Sequence, residues 1–408
     1  MLFHRFLKDC RAGVAPLLAL GAIPLFGSVG AAIDYSRANY ARAAMQAALD
    51  AAAVMLSKEA QTLSDTQLTQ KASDYFNANF VHPEVQKVAV TAVASSVTGG
   101  TSVTMSATAS VPTEFMGLMG FSKLAVSVNS GVVAVADGLG CVLSLDRSAS
   151  GAITGQGGTS VALSGCSLYD NSRNAAALTV GGSASISALS VGVVGGVSGS
   201  NSITTTQGIK TGIGPVADPY ADVSFPNFFG CNQHNYHTAK TETIDPGVYC
   251  GGIKVDAGAN VTLNPGIYYL DGGSFSVNGN ATVTGTGVTL VFTAKTNSDF
   301  ATATINGTGS VNLTPPKSGP TAGIVIFGDR RIPVGTTFNF TGGANQYLGG
   351  AVYVPTGAVN FSGGAGTSTN CTQVIGNTVS FAGNSSLVLN CSNYSVRPFS
   401  PLSVKLTS

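Results

Sequence analysis

Three short stretches of this 408-residue chain carry side chains that could do chemistry. Asp146-Arg-Ser148-Ala-Ser150 follows an apolar run, CVLSL, and sets a carboxylate and two hydroxyls at alternate positions. Hard oxygen ligands so placed could hold a magnesium ion, as a similar motif does in von Willebrand A domains, where a doubly wound α/β fold surrounds it. The residues that follow are Gly, Ser, Thr and Val without an amphipathic helix, so a polar turn after a strand is the plainer reading. Cys231-Asn-Gln-His234-Asn-Tyr-His237 offers a thiolate and two imidazoles at spacings a transition metal could use. If Cys231 sits in a disulfide, only two loop histidines remain. Asp329-Arg330-Arg331 is the densest charge cluster of its region and could grip or cleave a uronate chain. Acid/base work needs two placed groups, and no second carboxylate or lysine base lies beside it. A solvated loop after GIVIF is the simpler reading. No catalytic, cofactor-binding or metal-ligating residue is therefore assigned, and the expectation is a protein that is not an enzyme and needs no cofactor.

The elements that would position these residues begin with an anchor. From Ala12 to Ile33 the chain runs uncharged for 22 residues. A helix of that length spans about 33 Å, enough to cross a hydrocarbon core. Arg5, Lys8 and Arg11 precede it and nearly the whole chain follows it, so the N-terminus is expected in the cytoplasm. Tyr35 and Tyr40 would sit at the outer interface, and Pro16 and Pro24 are tolerated in a membrane span. A cleaved signal peptide ending near Val29-Gly30-Ala31 is the rival, but the apolar stretch exceeds the roughly 7–15 residues of a signal core. Only 10% of residues are charged, the net charge is +1 and Trp is absent, so there is no basic stripe for nucleic acid.

Residues 34–60 are helix formers, and Ala38, Ala41, Met45, Ala48, Ala52 and Met55 step by three and four. They are expected to continue the span outward as a stalk. Ser64-Asp-Thr-Gln67 reads as a capping box opening a second helix to about Phe80. Alternation through Val103–Ala109 and Leu124–Val128, a Gly99-Gly100 turn and a short apolar helix over 112–120 make 61–137 a small α+β module.

From Gly138 onward phrases repeat. Phe340-Thr-Gly-Gly-Ala344 returns as Phe361-Ser-Gly-Gly-Ala365 and, more loosely, Phe381-Ala-Gly-Asn384, while Ile244-Asp-Pro-Gly-Val-Tyr249 returns as Leu263-Asn-Pro-Gly-Ile-Tyr268. A period of about twenty residues marks a solenoid, each coil hiding its apolar side on the next. Residues 138–408 are therefore read as a parallel β-helix, with a β-sandwich as the alternative. The fold class is mainly β with N-terminal α: tail 1–11, transmembrane helix 12–33, stalk 34–60, module 61–137, β-helix 138–408.

Cysteine spacing sharpens this. Cys371 and Cys391 are 20 residues apart and Cys231 and Cys250 are 19 apart, one coil in each case. Residues one coil apart stack about 4.8 Å apart, within disulfide reach. The expected pairs are Cys371–Cys391 and Cys231–Cys250, leaving Cys141–Cys166 by elimination.

The opening, RFLKDCRAGVAPLLALGAIPLFGSVGAAIDYSRANYARAAMQAALDAAA, resembles the N-terminal region of TadG-like proteins (TadE/TadG family) of the tight-adherence, or Flp, pilus system. The shared features are a basic tail, a Gly before the apolar run, Asp-Tyr-Ser after it and an Ala-rich helix. Some relatives carry a von Willebrand A domain, whose metal motif Asp146–Ser150 matches, but this chain departs from that pattern after Ser150. The resemblance implies a bacterial inner-membrane protein, single-pass, with its C-terminal domain in the periplasm. Its work would be that of a non-catalytic scaffold or adapter in assembling or anchoring a type IVb pilus. Implied partners are other pilus-assembly envelope proteins and the inner membrane, with self-association through the Ala-rich helix left open and no nucleic acid. A prepilin carries Glu at the fifth position after its cleavage-site Gly; counted from Gly13 this chain has Leu18, which argues against processing. The alternatives are a surface adhesin or minor pilus-tip component binding glycans and, further off, a β-helix polysaccharide-active enzyme.

Overall fold

The computed structural model describes residues 14–407 apart from 61–62, 98–99, 137, 297, 306, 342–345, 364–370 and 392. The expected tail, 1–11, lies outside these. The protein is mainly β behind one long N-terminal helix, and it divides into two compact units, residues 1–136 with 402–408 and residues 137–401.

The first unit opens with α1, Val14–Ser57, a continuous helix of 44 residues that carries Pro24 inside it. Among the described residues no helix is long and apolar enough to cross a membrane; the side chains of 14–19 and 23 lie outside that description. α2, Asp65–Asn79, begins with the expected capping box: Ser64 Oγ accepts from the Gln67 N–H and the Gln67 side chain accepts from the Ser64 N–H. Three antiparallel strands follow, β1 (Gln86–Val97), β2 (Gly100–Pro112) and β3 (Lys123–Ala136). The sequence reading sets 34–60 apart as a stalk, but in the structure these residues are the packing helix of this unit. Ala38, Ala41, Met45, Ala48, Leu49, Ala52 and Leu56 are buried with Leu68 and Phe76 of α2 and Val103, Met105 and Val128 of the sheet. Small alanines let the helix approach the sheet closely, and Met55 of the presumed seam faces solvent. A second difference concerns the C-terminus. Leu402–Leu406 pairs antiparallel with β3, Leu402 against Ala136, so these residues leave the second segment and complete the first sheet.

The second unit is built on parallel strands in successive tiers of chain. Val142, Leu168 and Val191 are register partners in sequence, as are Ile153, Leu178 and Val197, and Val161, Ile186 and Ile203. Each side chain covers its neighbour's apolar flank, because an alternating strand has one face to hide. The repeated phrases lie on one another: Phe340 pairs with Phe361 and Phe361 with Phe381. The proline phrases repeat a hydrogen bond. Tyr249 Oη donates to Asp245 O at 2.7 Å and Tyr268 Oη to Asn264 O at 2.9 Å. The double glycines 251–252 and 272–273 all have positive φ and stack closely; a Cβ on Gly273 would lie 2.1 Å from Gly251 O. A second parallel sheet, Thr241–Ile244, Asn260–Leu263, Thr282–Thr286, Ser310–Thr314 and Tyr347–Leu348, walls the same core.

The tiers are not stacked in chain order. Thr372–Val388, the last tier, lies between Gly350–Gly363 and the first tier, with Val374 against Val142 and Val379 against Ile153. The chain thus enters in mid-stack, builds to Ile209–Thr211, and restarts at Gln233–Thr238 to build back to its own beginning. Residues 212–232 bridge this interruption as a strap over the outer strand faces. Ile213 N–H donates to Val193 O at 3.3 Å, and Asn171 and Val216 exchange hydrogen bonds of 2.8 and 2.7 Å. Tyr220 Oη donates to Gln373 at 3.2 Å. Phe225 meets Phe327 edge-on at 5.4 Å, Phe228 stacks on Tyr269 at 4.8 Å, and Cys231 is bonded to Cys250. Buried on both faces, the strands beneath the strap read as unbroken apolar runs, CVLS, IVIFG and VTLVFT.

Candidate functional site

The strap explains the charge cluster that the sequence offers for chemistry. Arg330 Nη1 donates to Val223 O at 2.7 Å, and Nη2 donates to Tyr220 O and, at 2.9 Å, to Tyr353 Oη. Its guanidinium lies over the rings of Phe327 and Tyr353, 5.8 and 5.5 Å from their centroids. Tyr353 Oη in turn donates to Asp218 Oδ2 at 2.7 Å, and burial followed by that carboxylate pushes the phenol far above its ordinary value. Arg330 thus gives the strap carbonyls of Tyr220 and Val223 a charged donor, the former in addition to the Val223 N–H at 2.9 Å. Asp329 is nearly enclosed and accepts from Arg331 through Nε and Nη2 and from Thr293 at 2.7 Å. Burial raises its pKa, but the Arg331 and Thr293 donors outweigh burial and hold it below the usual carboxylate range. Asp329 is buried, while Arg330 and Arg331 keep exposed surface but are committed to protein partners, which a free solvated loop would not show.

Beside it the strap and the tiers enclose an open cleft of about 620 Å³, lined by Phe225, Phe228, Phe229, Lys295, Asp329 and Arg331 among others. Phe229 stands 84% exposed at its edge. Lys295 donates to Gly230 O at 2.6 Å, pairs with Asp271 at 3.1 Å and lies 5.9 Å above the Phe228 ring. The arrangement offers planar apolar faces beside cationic groups, which suits a ring with a charged substituent.

All three expected disulfides are present. Their settings differ from a one-coil rule. Cys141 and Cys166 join neighbouring tiers beside the Gly140–Ser167 register pair. Cys250 instead faces His234 in register, so its bond to Cys231 ties the strap's end. Cys371 and Cys391 bracket one strand, with Cys371 bridging antiparallel to Leu389. Ligand atoms of Cys231, His234 and Cys250 lie within 4.8 Å of one another, but both sulfurs are spent on the disulfide. His237, the third residue of the sequence motif, is outside that group.

Asp146 closes its own turn. Its carboxylate accepts from the N–H of Ser148 and Ala149 at 2.8 and 2.7 Å and from Asn377 Nδ2 at 3.0 Å. Burial opposes the charge, but these donors prevail and hold the pKa low. The frame around it is parallel strands and not a doubly wound α/β fold.

Sequence reasoning missed a built feature in the first unit. Asp34 is buried where the uncharged run ends, and its carboxylate accepts from the backbone N–H of Glu114, Phe115 and Met116 at 2.9, 2.9 and 2.7 Å. Burial raises its pKa, while the three N–H groups and Arg37 together hold it below its ordinary value. A lone carboxylate directly after an apolar helix was the available signal. Residues 13–55 match the Tad family, Flp pilus-assembly TadE/G-like. The Tad region covers α1 almost to its end and includes Asp34. No curated protein and no solved structure matches the chain.

Proposed function

We propose that the protein is a membrane-anchored envelope scaffold or adapter for assembly of a Flp pilus, without catalysis of its own. The observation that carries this is the Tad match over residues 13–55. The uncharged run Ala12–Ile33 supports a single-pass anchor with the remainder in the periplasm. On this reading the tiers of residues 137–401 form a disulfide-stapled parallel β-helix with permuted coil order, presenting a long rigid flank to other assembly proteins. The engaged state of Asp329, Arg330 and Asp146 favours structural over chemical duty for them.

A second reading, an adhesin or pilus-tip component binding glycans, draws on the aromatic and cationic cleft. Shearing pili from intact cells and fractionating the envelope separates the two. Recovery at full length in the inner membrane is the expected result. Recovery with the sheared fibres would overturn the anchored reading and favour the adhesin.

A further inference from the structure

The loop stapled by Asp34 carries apolar side chains that the fold does not use. Between β2 and β3 the chain forms a short 3-10 turn, Met116–Met119, none of whose residues is buried. Phe115 is 46% exposed, Leu118 89%, Met119 52% and Phe121 61%. Hydrogen bonds hold the turn. Thr113 N–H donates to Ser122 O at 3.2 Å, Gly120 N–H to Gly117 O at 3.2 Å, and the Asp34 carboxylate takes three N–H groups at the loop's start. Polar side chains would serve such a turn equally well, so its composition calls for another explanation.

The loop lies against α1 at two glycines. A Cβ on Gly30 would lie 2.4 Å from Phe115 Cβ, and one on Gly27 would lie 3.8 Å from Met119 Sδ. At the same level α1 exposes Leu25, Phe26, Val29 and Ile33. Both apolar surfaces therefore lie at the same height along α1. They are bordered on one side by charges, with Arg37 pairing with Glu114 at 3.3 Å. From Asp34 down to Gly27 is roughly 10 Å along the helix, the depth of the headgroup and upper acyl region.

We propose that Phe115, Leu118, Met119 and Phe121 insert into the lipid bilayer beside α1 as a second membrane contact. The proposal rests on the anchor reading above. Lipid is the occupant because the loop extends a helix surface that carries no charge from Ala12 to Ile33. The glycines bring loop and helix together, and Asp34 fixes the loop's height at the charge border. The protein thus meets the membrane through two elements in a set orientation, where a lone helix is free to rotate.

The chain contains no Trp, so a single introduced indole reports its own surroundings. Leu118→Trp, Phe121→Trp and Leu25→Trp variants of the full-length protein are reconstituted in phosphatidylcholine vesicles, with and without acyl-chain bromination. The expected result is blue-shifted emission for all three and loss of intensity in the brominated vesicles. Quenching at Leu25→Trp alone overturns the loop contact and leaves the anchor standing. Blue-shifted but unquenched emission at positions 118 and 121 means a protein cover, such as a second copy, and also overturns it. Absence of quenching at all three positions removes the anchor as well.

Discussion

Val374 pairs in register with Val142, although almost the whole second unit lies between them in sequence. The pair joins the last tier to the first, with the Phe340–Phe361–Phe381 ladder running across three paired strands beside it. Phe361 is fully buried between phenylalanines, and its ring meets that of Phe381 at 6.5 Å. Phe361→Ala is expected to cost about 3–5 kcal/mol in urea denaturation, since the stacked neighbours cannot collapse into the void.

Arg330→Ala leaves the carbonyls of Tyr220 and Val223 and the Tyr353 hydroxyl without their cationic donor. A loss of about 2–4 kcal/mol is expected. Limited proteolysis should then cut first within residues 212–232. An unchanged cleavage pattern would show that the strap is held without Arg330.

Asp170 is fully buried and its Oδ2 has no hydrogen-bond partner among the described residues. Burial, with a smaller contribution from Asp146, raises its pKa from 3.8 to about 7. A carboxyl raised on folding favours the folded state fully below pH 3.8, and that contribution is lost as pH rises through about 7. The unfolding free energy from denaturant titration should therefore fall by about 4 kcal/mol between pH 3 and pH 8, with about 2–3 kcal/mol of that fall above pH 5. Asp170→Asn, which mimics the protonated acid, should flatten the profile.

Asp34 has the opposite sign. Its pKa lies below the ordinary 3.8, so its stabilisation is present above that value and is lost as pH falls through the lowered one. Asp34→Asn should release the loop at 113–120 to protease at neutral pH while the wild type resists. Equal resistance would mean the loop is held by Phe115 against Gly30 alone.

The parallel pairing of the repeated phrases was readable because a repeat sets the same residue type at equivalent places, as at Phe340, Phe361 and Phe381. Two disulfide pairs followed from that spacing and Cys141–Cys166 by elimination, although Cys371 and Cys391 flank one strand. The order of the tiers was not readable: a strand such as CVLSL records that both its faces are covered, but not by which neighbour. The partners of Arg330 were not readable, because they belong to an aperiodic, proline-containing strap. The partner of the LSVKL strand was hidden for the same reason, since alternation marks a half-buried strand without naming its edge.

Synthesis from the N-terminus gives the non-sequential strand order a consequence in time. A chain emerging from its N-terminus places Gly140–Ser144 early, and Ser167–Asp170 covers one edge soon afterwards. The other edge waits for residues 372–388, and the edge of β3 waits for Leu402–Leu406. Two open strand edges therefore persist until nearly the entire polypeptide has emerged, the interval in which unpaired edges recruit wrong neighbours. A chain cut short by even its last forty or so residues would keep both edges open permanently.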